Sequence, residues 1–174
     1  MSRSLLTLVV AVLCAATAFG HEYQAGSIRV DHPWSRPAPS GMAMAVAYFT
    51  LENRGGTDDA LISASTPVAA RVEFHQTTLA GGIARMRPLP QVVNGAGKTL
   101  EMGPGGIHLM LVQLNRALVA GTQVPLTLEF RDAGTVEVKL TIENRDVAGL
   151  ENEMTRSLGT GTVVNPAAWV RDTY

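Results

Sequence analysis

Four side chains that can bind a soft metal ion recur at fixed spacing in the middle of the chain. They are His75, Met86, His108 and Met110, separated by ten residues, twenty-one residues and one residue. A mixed set of imidazole and thioether ligands favours copper(I) over magnesium, calcium or manganese. Zinc rarely takes methionine, and a blue-copper centre would need a cysteine thiolate beside its histidines. We therefore predict that these four side chains hold one copper(I) ion.

The first two of these residues lie on a predicted β-hairpin. Apolar and polar residues alternate over residues 71–77, which predicts a strand with His75 on the face away from the core. Residues 79–83 contain the glycine pair of a tight turn, and residues 84–88 form the returning strand. His75 then faces Met86 directly if the turn is centred on residues 80 and 81. The two are diagonal neighbours if the turn is centred one residue later, and both registers leave them on one face.

The other two residues open a second predicted strand. Pro104, Gly105 and Gly106 form a turn, and the strand over residues 107–111 follows it. Positions two apart in a strand project to the same side, so His108 and Met110 can bind one ion together. We expect this strand end to meet the hairpin of His75, because a small sandwich places successive turns at a common end.

The ligand spacing and its flanking residues resemble those of the PCu(A)C family of periplasmic copper chaperones. The resemblance extends over residues 27–145, and its most similar segments are residues 47–53, 86–88, 104–106 and 124–130. Many members carry a methionine just after the first histidine, where this chain has Gln76 and Thr77. The departure concerns an auxiliary ligand and leaves the four main ligands in place.

The resemblance implies a cupredoxin-like Greek-key fold and a function in copper delivery. The protein would carry copper(I) in the periplasm and pass it on by ligand exchange, without chemistry on a substrate. The implied recipient is either the dinuclear copper subunit of cytochrome c oxidase or a Sco-type assembly protein. Periplasmic storage or detoxification of copper is an alternative function.

The two ends of the chain differ from its middle. Residues 1–20 have a basic start, an apolar run too short to span a bilayer and a small-x-small cleavage site, which predicts a secretory signal peptide. Its only cysteine, Cys14, follows Leu13, where a lipoprotein signal would want a small residue. Residues 21–145 form the predicted copper-binding domain, and residues 146–174 a C-terminal extension that is partly ordered at best. No stable membrane insertion is expected after cleavage.

Short strands with turn signals about every ten residues predict an all-β fold, an antiparallel sandwich or barrel. The predicted strands cover residues 28–34, 42–52, 60–64, 71–77, 84–88, 99–102, 107–114, 124–130 and 135–143. A formal net charge of −1 makes nucleic acid an unfavourable partner.

Four further residues are weaker candidates for a second metal site. Met42 and Met44 alternate with alanines in an apolar strand, which favours core packing over metal binding. His32 precedes a proline and is interpreted as a loop histidine. His21 would become the N-terminus if cleavage follows Gly20, and its amine and imidazole could then chelate copper(II).

Two other classes of function stay open at this stage. A copper enzyme or electron carrier would need an open copper(II) site or a fast redox couple. The protein could also be a metal-free structural sandwich of the cell envelope. In that case Met86 and Met110 would fill the core, and His75 would be an ordinary surface histidine.

Overall fold

The computed structural model describes residues 22–80 and 83–145, and eleven β-strands account for most of these residues. Their bounds are β1 (Glu22–Ala25), β2 (Ile28–Ser35), β3 (Met44–Asn53), β4 (Asp59–Ser65), β5 (Ala69–Ala80), β6 (Ile83–Leu89), β7 (Val92–Asn94), β8 (Thr99–Met102), β9 (Ile107–Leu114), β10 (Gln123–Phe130) and β11 (Gly134–Ile142). In this part of the chain no helix has the length and hydropathy to cross a membrane. The predicted signal peptide, His21 and the C-terminal extension lie outside the described residues.

The strands form one continuous sheet that folds over into a sandwich. Its order is β6-β5-β9-β3-β2-β11-β10-β4-β7, with β1 paired to β2 and β8 paired to β3. Buried side chains from both halves of this path belong to one core cluster, which includes Leu109, Leu126 and Leu140. The all-β prediction is confirmed. The sheet is mixed rather than wholly antiparallel, because β2 and β11 run parallel where Trp34 pairs with Thr141.

Alternation along the strands decides which side chains fill this core. In β9, Leu109 and Leu111 are fully buried, whereas His108 and Met110 point to the other face. Burying a leucine side chain stabilises the folded state by about 1.5 to 3 kcal/mol, so the apolar positions fix the register of each strand. The register in turn fixes which polar residues meet on the outer face.

The predicted strands correspond to observed ones, with two omissions, and Met42 and Ala43 lie before β3 rather than inside it. The short strands β1 and β7 were not predicted, since three or four residues carry little alternation. His32 was interpreted as a loop residue, but it lies inside β2. Its φ is +49°, and the pairing of β2 with β3 shifts register between Asp31 and Trp34. The interpretation relied on the proline that follows His32, but the β-bulge accommodates both residues within the strand.

A buried carboxylate ties the start of β4 to the turn between β10 and β11. Asp59 accepts hydrogen bonds from the backbone N–H groups of Ala60 at 2.7 Å, Asp132 at 3.0 Å and Ala133 at 2.9 Å. These contacts join segments more than seventy residues apart in the chain. They hold the sandwich closed at the end of the β10–β11 hairpin.

Replacing Asp59 by alanine should destabilise the fold by about 3 kcal/mol, because three backbone donors lose their charged acceptor. Urea denaturation of Asp59→Ala beside the wild type measures the change. The control is Asp132→Ala, whose exposed carboxylate pairs with the neighbouring Arg131 and whose loss should cost about 0.5 kcal/mol or less. Equal stability of Asp59→Ala and wild type would contradict this account of the closure.

Candidate metal centre

The pairing of β5 with β9 brings the two predicted histidines together. His75 lies directly opposite His108, and the centroids of their rings are 6.0 Å apart with the ring planes at 30°. A metal–imidazole bond is about 2.0 to 2.1 Å long, so one ion between these rings is within reach of a nitrogen from each. The expected meeting of the hairpin with the second strand is therefore observed.

Each histidine uses one ring nitrogen in a hydrogen bond and leaves the other without one. His75 Nε2 lies 3.0 Å from Glu73 Oε2, and His108 Nδ1 lies 3.1 Å from the carbonyl oxygen of Gly106. His75 Nδ1 and His108 Nε2 are buried and have no hydrogen-bond partner among residues 22–80 and 83–145. Because carboxylate and carbonyl oxygens only accept, the bonded nitrogens carry the protons. Each ring thus presents one free lone pair, as a metal ligand does.

The glycine turn before β9 sets the orientation of the His108 ring. The Gly106 N–H donates to the Gly103 carbonyl at 3.1 Å, and Gly105 has a φ of +78°. This geometry fits a type II turn with Pro104 at its second position and glycine at its third. The Gly106 carbonyl accepts both from His108 Nδ1 and from the Thr77 N–H at 3.0 Å. One carbonyl therefore holds the ring and ties β9 to β5.

Met86 lies beside His75 on the edge strand of the sheet. In the pairing of β5 with β6, Thr77 is opposite Met86 and His75 is opposite Pro88, so Met86 is a diagonal neighbour of His75. This is the second of the two registers considered, in which Ala80 pairs with Ile83. The two glycines between them lie outside the described residues. Met86 is 41% exposed, so it does not fill the core.

Met110 follows His108 on the same face of β9. It is partly buried and lies opposite Glu73 in β5 and Val46 in β3. Since His75 is two residues from Glu73, Met110 is also a diagonal neighbour of His75, within the reach of a long side chain. The two methionines approach the histidine pair from opposite ends along the strand direction.

The charge state of the site suits a cation of low charge. Burial lowers the pKa of His108 below its ordinary value of 6.5, and the hydrogen bond to Gly106 opposes this shift only in part. The guanidinium of Arg71 and then His75 lower the pKa of the Glu73 carboxyl. His108 is therefore neutral and Glu73 anionic near neutral pH. In the described part of the chain, no group of three His, Cys, Asp or Glu side chains could hold a metal ion.

An aromatic row that the sequence reasoning did not identify continues outward from the histidine pair. The Tyr48 ring contacts the His108 ring edge-on at 6.4 Å between centroids, and Trp34 packs against Tyr48 at 4.8 Å. Arg145 covers the Trp34 ring at 4.7 Å from its centroid. The alternation of β3 could have placed Tyr48 on the face of His108, but the bulge in β2 hid the position of Trp34.

The weaker candidates lie away from the histidine pair. Met44 was expected to pack in the core, but the core contacts of this segment come from Ala45 and Ala47, and Met44 is on the opposite face. Met42 is 42% exposed. His32 lies 3.3 Å from Glu143 and also contacts Arg145.

Comparison with known proteins gives concordant matches. The family described as "Putative lipoprotein LpqE-like" matches residues 28–142. "Putative lipoprotein Lxx21020" of Leifsonia xyli is 30% identical over 122 residues, covering 70% of this chain and 72% of that protein. "Uncharacterized protein RP573" of Rickettsia prowazekii is 27% identical over 123 residues, covering 68% of this chain and 67% of that protein.

Two solved structures are similar in both fold and sequence. The copper-bound PCuAC domain from PmoF2 has a TM-score of 0.63 and 28% identity, covering 72% of this chain and 99% of that domain. The solution structure of CuI-DR1885 from Deinococcus radiodurans has a TM-score of 0.57 and 29% identity, covering 75% of this chain and 86% of that one. Both of these structures contain copper.

The hydrogen bonds of the two rings predict opposite tautomers in the metal-free protein. We expect His108 to carry its proton on Nδ1 and His75 on Nε2, as read from long-range proton–nitrogen NMR spectra. Glu73→Ala should remove the preference of His75 and leave that of His108 unchanged, because, of the two rings, it is that of His75 that is hydrogen-bonded to this carboxylate. The same tautomer on both rings, or a change at His108 in that variant, would contradict the assignment.

Proposed function

This chain belongs to the LpqE-like family of PCuAC copper-binding domains, and we propose that it is a periplasmic chaperone that binds copper(I) and delivers it to another protein. The fold and the copper-bound relatives support a copper chaperone. The ligand set, the oxidation state of the ion, the compartment and the recipient are the further parts of the proposal.

The proposed ligands are His75, Met86, His108 and Met110. The observation that carries this assignment is the pair of buried imidazole nitrogens on adjacent strands, each without a hydrogen-bond partner among the described residues. A buried polar atom without a partner costs about 1 to 3 kcal/mol, and binding a metal ion would remove that cost. A diagonal methionine lies beside the histidine pair at each end.

Copper(I) fits these ligands better than other common ions do. Two imidazoles and two thioethers are all neutral, and thioethers prefer soft cations. Each histidine donates its second ring N–H to an oxygen atom, an arrangement that fixes ligating histidines in many metal sites. Gln76 and Thr77 follow the first histidine, so the proposed set contains no additional methionine there.

The exposure of the ligands suggests an order for release of the ion. Met86 lies on the edge strand and is largely exposed, whereas His108 is buried. An incoming ligand would therefore displace Met86 first and His108 last. Thiolates bind copper(I) more strongly than thioethers do, so transfer to a cysteine-containing acceptor would be favourable.

The resemblance of the site to copper-delivery domains supports a recipient in assembly of a copper enzyme. We propose the copper subunit of cytochrome c oxidase or a Sco-type assembly protein. Export to the periplasm is supported by relatives described as lipoproteins and by the signal-like residues 1–20. Carriage of this kind requires no catalysis by the chain.

A copper(I) titration against a competing chelator under reducing conditions tests the ligand set. The wild type should bind one equivalent tightly, and Met86→Ala and His108→Ala should each bind at least about tenfold more weakly because a ligand is lost. His32→Asn and Met102→Leu are matched controls outside the site, and asparagine tolerates the positive φ of His32. Equal binding by the wild type and both site variants would refute the assignment.

Copper binding should weaken as the pH falls, because a protonated imidazole has no free lone pair. Since burial lowers the pKa of His108, this ring stays neutral to a lower pH than an ordinary histidine. Its contribution is complete above about pH 6.5 and is lost as the pH falls through the lowered pKa, by about tenfold per pH unit below that value. Affinity that stays unchanged from about pH 7 down to a pH at which His108 of the metal-free protein is protonated, as read by NMR, would exclude His108 as a ligand.

Delivery and storage predict different phenotypes. Loss of a delivery protein should lower cytochrome c oxidase activity when copper is scarce, and added copper should restore it. Loss of a storage or detoxification protein should instead make cells sensitive to excess copper. Oxidase activity that is normal under copper limitation, together with copper sensitivity, would favour storage over the proposed function.

A further inference from the structure

The face that carries the proposed copper ligands continues onto β3. Val46 pairs with Met110 and Met44 pairs with Val112, so Met44 lies on the same face as Met110 and is its diagonal neighbour. Diagonal neighbours on adjacent strands are about 7 to 8 Å apart, which long side chains can span. Met44 is thus the methionine of β3 that lies beside Met110, at one end of the primary site.

A third methionine, Met42, lies just before β3. Met42 precedes Met44 by two residues and is 42% exposed, whereas Met44 is partly buried. The core beneath this segment is supplied by Ala45 and Ala47, so Met44 is not needed there as a core filler. Met110 and Met44 therefore follow one another on one face of the sheet, and Met42 is exposed two residues before Met44 in the chain.

Thioethers arranged in this way can bind a soft monovalent cation. They are neutral and polarizable, and they need no deprotonation to act as ligands. Leucine would make a surface of similar size and hydrophobicity, but its side chain has no atom that binds a metal. A second cation at these residues would also be separated from the histidines, because Met44 is diagonal to Met110 and not to His108.

We propose that Met44 and Met42, with Met110 as a shared ligand, form an auxiliary thioether site for a second copper(I) ion. The inference rests on the proposed function, because Met110 is common to both sites. The auxiliary site binds more weakly than the primary one, since it has no imidazole ligand.

Silver(I) is a suitable probe, because it has the charge and closed shell of copper(I) but is not oxidised in air. We would add it to the purified protein with carbon-13 in the methionine methyl groups and follow the methyl signals by NMR. The first equivalent should shift Met86 and Met110, and the second should shift Met44 and Met42. Met102 is buried in the core and should not move, which makes it an internal control.

The variants separate the two proposals. Met44→Leu and Met42→Leu should each abolish the second step and keep the first, and Met102→Leu should keep both. Met42 is exposed, so its replacement does not endanger folding. If the first step occurs but Met44 and Met42 never shift, the auxiliary site is refuted and the primary site stands. If Met86 and Met110 do not shift either, both the auxiliary site and the proposed function are refuted.

Discussion

The pairing of β5 with β9 is the constraint on which the candidate site depends. It places His75 opposite His108, and without it the two pairs of residues that the sequence separates by more than twenty positions would not meet. The pairing is fixed from below by the core, since Phe74 and Leu109 are also opposite one another and are both buried. A slip of one residue would expose these apolar side chains and bury the outer face. The packing of apolar side chains on one face of the sheet therefore positions the two histidines on the other face.

The carbonyl oxygen of Gly106 connects the pairing of β5 and β9 to the orientation of a proposed ligand, His108. It accepts from the Thr77 backbone and from the His108 ring, so the pairing of the strands and the orientation of the imidazole share one acceptor. The turn needs a residue with positive φ at position 105, where glycine is unstrained. Tyr48 supports the same ring from the opposite side of β9. The Gly106 carbonyl and the Tyr48 ring together fix the orientation of the His108 ring.

Sequence reasoning reached much of this arrangement, and its failures have local causes. The spacing of the four residues identified the candidate ligands, and alternation placed His75 outside the core, because both depend only on short-range order. The hairpin register stayed open, because either centre of the glycine turn keeps His75 and Met86 on one face. His32 was interpreted as a loop residue because it precedes a proline, but a β-bulge keeps it within β2. Met44 was expected in the core, but two alanines of β3 supply the core contacts. The buried nitrogens and the contact of Trp34 with Tyr48 could not be predicted, since they depend on long-range pairing.

The central claim is that two imidazoles and two thioethers bind one copper(I) ion. X-ray absorption spectroscopy of the protein loaded with one equivalent of copper(I) tests it most directly, because it reports the oxidation state and the types of ligand atom together. The account predicts a copper(I) edge with two nitrogen and two sulfur ligands, and loss of one sulfur in Met86→Ala. A spectrum with sulfur ligands alone, or with nitrogen and oxygen ligands and no sulfur, would contradict it.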